Sequence, residues 1–110
     1  MCGILGAFAA DGVLPSESTL NTMAQSIVHR GPDHVGIFRG GRCALGNCRL
    51  SIIDLSSAAN QPQTSDDGQI VVVQNGEIYN YIELREELKV AGHRFNTTGD
   101  TEVLVRAYEA

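Results

Sequence analysis

Residues 1–12 read MCGILGAFAADG, and this opening stretch decides how the chain begins to fold. Residues 3–10 form a short apolar run, and Asp11-Gly12 behind it is a turn signal. Short apolar runs that are bounded by turn residues are typical of buried strands. The sequence therefore predicts a strand over residues 3–10 that lies inside a sheet and enters a hairpin or a loop.

A helix is predicted next, because Pro15 and Ser16 form a helix start and apolar residues then recur at three- and four-residue steps. These apolar residues are Leu20, Met23, Ala24 and Ile27. They share one face, so the helix is expected to pack on the sheet. The His29-Arg30-Gly31-Pro32-Asp33 segment breaks the pattern, since proline disfavours a helical residue before it, and we expect an ordered loop there.

Short strands and turns are predicted in the middle of the chain. The strands are residues 35–38, 43–47 and 50–53, with Gly40-Gly41 as the turn between the first two. Residues 56–68 are polar and contain turn residues, which predicts a surface loop. Residues 70–73 are an unbroken β-branched run, which predicts a strand buried on both faces that leads into a turn at Asn75-Gly76.

Two helices follow in the last third of the chain. Leu84, Leu88 and Ala91 lie on one face of a helix that stops at Gly92. A second helix is predicted over residues 101–110, with Val103, Leu104 and Ala107 facing the core. No glycine, proline or polar cluster closes this helix before Ala110, so we expect a longer parent chain.

The composition excludes several classes of function. A net charge of −5 and the absence of a Lys/Arg cluster argue against nucleic acid as a partner, because phosphates require a basic patch. No stretch approaches the about 20 apolar residues of a membrane span, and residues 4–10 lack the length and basic flank of a signal peptide. A cytoplasmic protein without a membrane partner is expected.

The three cysteines are predicted to be reduced thiols, since an odd number without an export signal does not favour disulfides. Cys43 and Cys48 are interpreted as core residues. Their spacing is loose for zinc and no second Cys/His pair completes four ligands, so no metal site is predicted.

Cys2 has a chemical advantage that comes from its position. Removal of Met1 is easy before a small side chain, and it leaves a thiol and a free α-amine on one residue. The amine has a reference pKa of about 7.7–8.0, so it can take the proton of the thiol and return it to a leaving amine. This is the logic of N-terminal nucleophile hydrolases. The alternative interpretation is an inert cysteine in an apolar strand.

Five motifs, taken together, resemble the class II glutamine amidotransferases, which are N-terminal nucleophile hydrolases, and in particular the asparagine synthetase branch of that family. In chain order the motifs are MCGILG (residues 1–6), HRGPD (29–33), RLSIID (49–54), NGEIYN (75–80) and GDTE (99–102). They span the whole chain. Asn60 and the Asn47-Cys48 pair stand where that branch commonly has other residues, but neither position is catalytic in the family.

The resemblance implies that Cys2 is the nucleophile that attacks the side-chain amide of glutamine. Asn75 and Gly76 would then donate hydrogen bonds to the oxygen on which negative charge develops, and glycine lets the backbone approach the ligand. Taken alone, Asn75-Gly76 is also compatible with a plain hairpin turn.

Free glutamine also carries an α-carboxylate and an α-ammonium group. Arg49 can grip the carboxylate in a bidentate fashion, and Asp100 can accept from the ammonium. The alternatives are a surface charge for Arg49 and a helix N-cap for Asp100. The resemblance further implies that Glu77 lines the glutamine pocket and that one wall is formed by Leu50, Ser51, Ile52 and Ile53.

The HRGPD loop is expected to hold itself together beside the site and to cover bound substrate. A dyad of Cys2 with His29 is a minor alternative, because the N-terminal amine already fills the role of the base.

The family fold is α+β, an αββα sandwich of antiparallel sheets, and residues 1–110 would be its first half, a partial type 2 amidotransferase domain. The implied function is glutamine hydrolysis through a Cys2 thioester, with ammonia delivered to a synthetase domain that makes asparagine from aspartate. ATP and magnesium are implied for that domain only, since no phosphate-binding loop occurs here. The alternatives are another ammonia acceptor or a truncated, non-catalytic glutamine-binding module.

Overall fold

The structure is a computed structural model that describes residues 2–110. It combines helices with two antiparallel sheets, one of three strands in the order β1-β3-β2 and one of the two strands β4 and β5. The predicted α+β mixture agrees with this. In chain order the elements are β1 (Gly3–Phe8), α1 (Glu17–Ile27), a 3-10 helix (Val28–Arg30), β2 (His34–Gly40), β3 (Cys43–Arg49), a second 3-10 helix (Ser57–Ala59), β4 (Gln63–Thr64), β5 (Val71–Val72), α2 (Tyr81–Val90) and α3 (Thr101–Glu109).

Helix α1 packs on one face of the larger sheet, as predicted. Ser16 caps its first turn by accepting a hydrogen bond from the Thr19 N–H at 3.1 Å. Leu20 and Ala24 are buried, and the Cys48 thiol on β3 donates to the Ala24 carbonyl. The sheet and the helix therefore meet along a close apolar contact.

The β2–β3 hairpin is confirmed with its turn one residue later than predicted, at residues 41–42, and the HRGPD segment is ordered, with its first two residues in the 3-10 helix. Gly41 has a φ of 59°, a left-handed conformation that suits glycine in the predicted turn. In the HRGPD loop, a Cβ on Gly31 would lie 2.0 Å from the Cys48 carbonyl oxygen. Only glycine allows this loop to lie directly against β3.

The opposite face of the sheet is only partly covered. Asn47 points to this side, because it neighbours Cys48 on the strand, and it meets the segments that flank β4 and β5. Further along, Ile4 and Phe8 of β1 are 50% and 75% exposed. The prediction of a buried first strand thus holds for the face of β1 that packs on α1. It is wrong for the opposite face, which carries Ile4 and Phe8.

Two predictions for the middle of the chain are wrong. Residues 50–53 form no strand, because the segment turns away from the sheet after Arg49 and makes no ladder there. Residues 56–68 are not a simple surface loop, since they contain a 3-10 helix and strand β4. They also bury polar groups that hydrogen bonds satisfy, namely those of Gln61, Gln63 and Ser65.

The strand predicted at residues 70–73 shrinks to Val71–Val72, and both residues are half-buried rather than enclosed. Its only partner among the described residues is β4, so its faces are incompletely covered. Helix α2 ends before Gly92, whose φ is 100°, as expected. None of its residues is buried, however, and Ala91 behind it is exposed.

Helix α3 is confirmed, but its buried face is not the predicted one. Val103 is buried, whereas Leu104 is half-exposed and Ala107 is exposed. Glu102 and Arg106 are buried instead and form an ion pair of 3.3 Å, and the Glu102 carboxylate also accepts the N–H groups of residues 96 and 97. Apolar periodicity cannot detect a buried charge that is stabilised by its own partners. Across residues 2–110, no helix has the length and apolar character needed to cross a membrane.

Candidate active site

One cavity collects residues from five separate segments of the chain. All the predicted site residues except Ser51 line it, and their roles remain predictions. The predicted residues on its wall are Cys2, Arg49, Leu50, Ile52, Ile53, Asn75, Gly76, Glu77 and Asp100. The wall is completed by residues that the sequence analysis did not select, namely Asp54, Ala59, Gln61, Gln63, Gln74, Gly99 and Thr101.

The Cys2 thiol is half-buried at the start of β1 and lies against the backbone of Leu50. The Leu50 N–H donates to Sγ at 3.3 Å, and the Leu50 carbonyl oxygen lies 3.7 Å from the same sulfur. The sulfur therefore lies beside a backbone hydrogen-bond donor on the cavity wall. Met1, whose removal the prediction requires, lies outside the described residues.

The other two cysteines do not share this environment. Cys48 is fully buried against α1, where burial, followed by the nearby Cys2, raises the pKa of its thiol. Cys43 is half-buried five positions earlier, so the two side chains point to opposite faces of β3. The prediction of a core residue is confirmed for Cys48 and holds only in part for Cys43. This geometry argues against a metal ion shared between them.

Arg49 closes β3 with a buried guanidinium group. Nη1 donates to the Ser56 carbonyl at 2.8 Å and to Asn60 Oδ1 at 2.7 Å, and Nη2 donates to the Asp54 carbonyl. The alternative of a surface charge is wrong, because the side chain of Arg49 is fixed inside the fold. The Nε–H and the second Nη2–H make no hydrogen bond within residues 2–110. They leave a fork that can receive a carboxylate.

Asp100 occupies the position before α3 but does not cap it. No hydrogen bond runs from its carboxylate to the first turn of the helix. Oδ2 accepts instead from the Ile78 N–H at 2.9 Å, while Oδ1 has no hydrogen-bond partner in the described part of the chain. The N-cap alternative is therefore wrong. Asp100 ties the start of α3 to the segment after Asn75-Gly76 and keeps one oxygen available on the cavity wall.

Asn75 and Gly76 form an exposed turn at the cavity. The favoured two-residue hairpin with Asn-Gly needs positive φ angles. Neither residue is among those with positive φ, which rules out that hairpin. A Cβ on Gly76 would meet only Gln74 Nε2, at 3.7 Å. Neither backbone conformation nor packing within the described chain demands glycine here, and the predicted close approach of a ligand at Gly76 stays a prediction.

Ser51 turns away from the cavity. Its N–H donates to Asp33 Oδ2 at 2.8 Å, so the HRGPD loop holds the 50–53 wall from behind. In the same loop, Arg30 Nε donates to the Cys2 carbonyl at 3.2 Å. His29 is exposed, and no hydrogen bond links it to Cys2 within the described range. The contacts of Arg30 and Asp33 are consistent with a loop that supports the site.

Asp54 is a site residue that the sequence analysis missed, although it ends the RLSIID motif. Oδ1 accepts the Ser56 N–H at 2.8 Å, and Oδ2 accepts the N–H and the hydroxyl of Thr98 at 2.8 and 3.0 Å. Hydrogen bonds from Ser56 and from the backbone of Thr98 hold the pKa of this carboxyl well below its usual range. Asp54 thereby joins two walls of the cavity.

Comparison with known proteins places these features in a family. The family model for the glutamine amidotransferase domain matches residues 1–110. The chain is 46% identical to asparagine synthetase (glutamine-hydrolyzing) 1 of Bacillus subtilis (strain 168), over 98% of this chain and 17% of that protein. It is 42% identical to asparagine synthetase (glutamine-hydrolyzing) 2 of Oryza sativa subsp. japonica, over 99% and 18%.

A third relative is the asparagine synthetase (glutamine-hydrolyzing) of Sandersonia aurantiaca, with 41% identity over 99% of this chain and 20% of that protein. The chain thus spans about a fifth of the length of the curated relatives it matches. With a family model that covers every residue and a cavity lined by the residues of its motifs, the chain belongs to the glutamine amidotransferase domain family.

Proposed function

We propose that this chain hydrolyses glutamine through a thioester on Cys2. The observation that carries the proposal is the shared cavity. It is lined by the Cys2 thiol, by the Arg49 guanidinium group with two unused N–H groups, by the Asp100 carboxylate with one unused oxygen, and by the exposed Asn75-Gly76 turn. Each of these groups matches one part of free glutamine. The membership of the family supports the same activity.

Recognition of glutamine rests on the two charged residues of the cavity. The free Nε–H and Nη2–H of Arg49 bind the α-carboxylate, because a guanidinium fork matches that group. The open Oδ1 of Asp100 accepts from the α-ammonium. Arg49 and Asp100 are each fixed by hydrogen bonds to other segments, so little side-chain freedom is lost when glutamine binds.

In the first step the Cys2 sulfur attacks the side-chain amide carbon of glutamine, and the thiol proton passes to the α-amine of Cys2. The carbonyl oxygen gains negative charge, which the Asn75 side-chain amide and the Gly76 N–H stabilise. The carbon–nitrogen bond then breaks, and the amine returns the proton to the leaving ammonia. Water attacks the resulting thioester, releases glutamate and restores the thiol.

The ammonia is passed, in this proposal, to a synthetase domain of a longer parent chain that converts aspartate into asparagine, as the names of the relatives suggest. Residues 1–110 are then the first part of an amidotransferase domain with the αββα sandwich of N-terminal nucleophile hydrolases. ATP and magnesium belong to the synthetase domain, since no Gly-rich phosphate-binding loop occurs in these residues.

The test is covalent trapping with the diazo-ketone analogue of glutamine, followed by peptide mass spectrometry on the purified protein. Intact mass, measured first, establishes that Met1 has been removed. We expect a single adduct on Cys2 that disappears in Cys2→Ala and persists in Cys43→Ala, which controls for reaction at a half-buried thiol outside the cavity. Binding of glutamine without any adduct in Met1-free protein would instead support a non-catalytic glutamine-binding module.

A further inference from the structure

We propose that Gln61 is a positioning residue that fixes the Asn75-Gly76 turn through the backbone of Gln74. The inference rests on the proposed function, in which this turn stabilises the developing oxyanion. Gln61 is 6% exposed and precedes β4, far from the turn in sequence. The resemblance assigns it no role, and its neighbour Asn60 departs from the family pattern.

The turn has few attachments of its own. Within residues 2–110, neither Asn75 nor Gly76 makes a hydrogen bond, and strand β5 already ends at Val72. The nearest anchors are Gln74 on one side and Ile78, held by Asp100, on the other. Because both residues of the turn are exposed, whatever fixes Gln74 controls where they lie.

Gln74 is fixed by two buried amides. Gln61 Oε1 accepts the Gln74 backbone N–H at 2.5 Å, and the Asn47 amide donates to the Gln74 carbonyl at 3.4 Å. The same Asn47 amide donates to Gln61 Oε1 at 3.2 Å. We call these three hydrogen bonds among Asn47, Gln61 and Gln74 the bracket. Since Asn47 is fully buried on β3, the bracket ties the turn to the central strand of the sheet.

The remaining groups of Gln61 and Gln74 are also in use. Gln61 Nε2 donates to the Thr101 hydroxyl at 3.3 Å, and that hydroxyl donates to Gln74 Oε1 at 3.0 Å. The backbone of Gln61 also packs closely on β2. Its carbonyl oxygen lies 2.0 Å from the position that a Cβ on Gly36 would take, so only glycine fits there. A carboxamide is needed at position 61, because it must accept from Gln74 and donate to Thr101 at once.

This network has a direct consequence for catalysis. An oxyanion donor is effective only if it is already in place when charge develops. Loss of the bracket would leave Asn75 and Gly76 on a loop that is anchored only at its Ile78 end, while Arg49 and Asp100 would keep their own partners. Chemistry should therefore suffer, and substrate binding should not.

The experiment compares two variants. Gln61→Met keeps the length of the side chain and removes its hydrogen-bond donor and acceptor, and Leu20→Ala, on the buried face of α1, is the control. In steady-state glutamine hydrolysis, we expect kcat of Gln61→Met to fall by about 10- to 100-fold with KM changed less than about threefold. Leu20→Ala should lose stability but keep kcat, because Leu20 is a buried residue of α1 that does not line the cavity. A rise of KM in Gln61→Met with unchanged kcat would overturn the inference.

A double-mutant cycle separates positioning from a general structural effect. If Gln61 acts through the turn, adding Gln61→Met to Asn75→Ala should lower kcat much less than it does in the wild type. Equal effects in both backgrounds would refute the assignment. Nuclear magnetic resonance supplies a readout without catalysis: the Gly76 amide signal should broaden or shift in Gln61→Met and stay unchanged in Leu20→Ala.

These outcomes distinguish the two proposals. A wild-type protein that hydrolyses glutamine while Gln61→Met retains full kcat overturns the positioning role and leaves the proposed function intact. The other outcome is a wild-type protein that does not hydrolyse glutamine, although its Gly76 amide signal responds to Gln61→Met. That result would show that Gln61 positions the turn, and it would overturn the role of the turn in stabilising the oxyanion.

Discussion

Replacing Asp54 by asparagine removes the charge that joins two walls of the cavity. Asp54 is 8% exposed, and its carboxylate receives three hydrogen bonds, one from Ser56 and two from Thr98. Asparagine keeps one acceptor oxygen and turns an N–H group toward the remaining donors. At least one of these donors is thus left without its partner.

The size of the effect follows from these contacts. A hydrogen bond to a charged group contributes about 1.5–3 kcal/mol, and the substitution retains some of the three. We therefore expect Asp54→Asn to lower the free energy of unfolding by about 2–4 kcal/mol at pH 7. Urea unfolding followed by circular dichroism measures this as a lower midpoint with an unchanged m-value. Asp11→Asn, at the exposed turn after β1, serves as a control and should hardly move the midpoint, because asparagine can still accept the one hydrogen bond from the Val13 N–H.

The hydrogen bonds to Asp54 also determine how its contribution to the free energy of unfolding depends on pH. The pKa of Asp54 is lowered in the folded protein, so its contribution is fully present above the ordinary aspartate pKa of about 3.9. Below that pH the unfolded chain takes up the proton first, and the contribution is progressively lost. The difference between the wild type and Asp54→Asn should therefore shrink on going from pH 6 to pH 3. A difference that stays constant over this range would refute the reasoning.

Three further substitutions test other parts of the site. Arg49→Lys should raise the KM for glutamine by at least about tenfold, as measured by glutamate release, because an ammonium group cannot replace the fork and its fixed partners. Asn75→Ala should lower kcat by about 100- to 1,000-fold in the same assay with little change of KM, as expected for a lost oxyanion donor. Gly31→Ala should lower the free energy of unfolding by about 1–3 kcal/mol in urea, because the new Cβ would overlap the Cys48 carbonyl.

Local signals in the sequence predicted the elements that depend on local chemistry. Ser16 and the apolar spacing of α1, the glycine of the β2–β3 turn and the glycine after α2 each carry their structural reason within a few residues. The residues of the cavity wall were implied instead by the resemblance of the motifs to a family. Among them only Ser51 does not line the cavity, and its N–H donates to Asp33. A local sequence motif does not show that the backbone N–H of Ser51 will donate to the carboxylate of Asp33, which is distant in sequence.

The errors concern residues whose environment is made by distant segments. Gln61 and Asp54 look like loop residues, yet both are buried because their partners arrive from Gln74 and Thr98. Residues 50–53 have the composition of a strand, but the chain leaves the sheet after Arg49, whose side chain binds the carbonyls of the segment that follows. Apolar periodicity cannot predict such long-range polar contacts.

The order in which the cavity residues occur along the chain has a consequence for protein synthesis. Cys2 is synthesised before the other charged and polar residues of the cavity, since Arg49, Asn75 and Asp100 follow it along the chain. At a typical elongation rate of about 5–20 residues per second, roughly 5 to 20 seconds separate Cys2 from Asp100. During that interval the Cys2 thiol is present without the rest of the cavity wall. If the proposed function holds, the growing chain can hydrolyse glutamine only after synthesis has reached the start of α3.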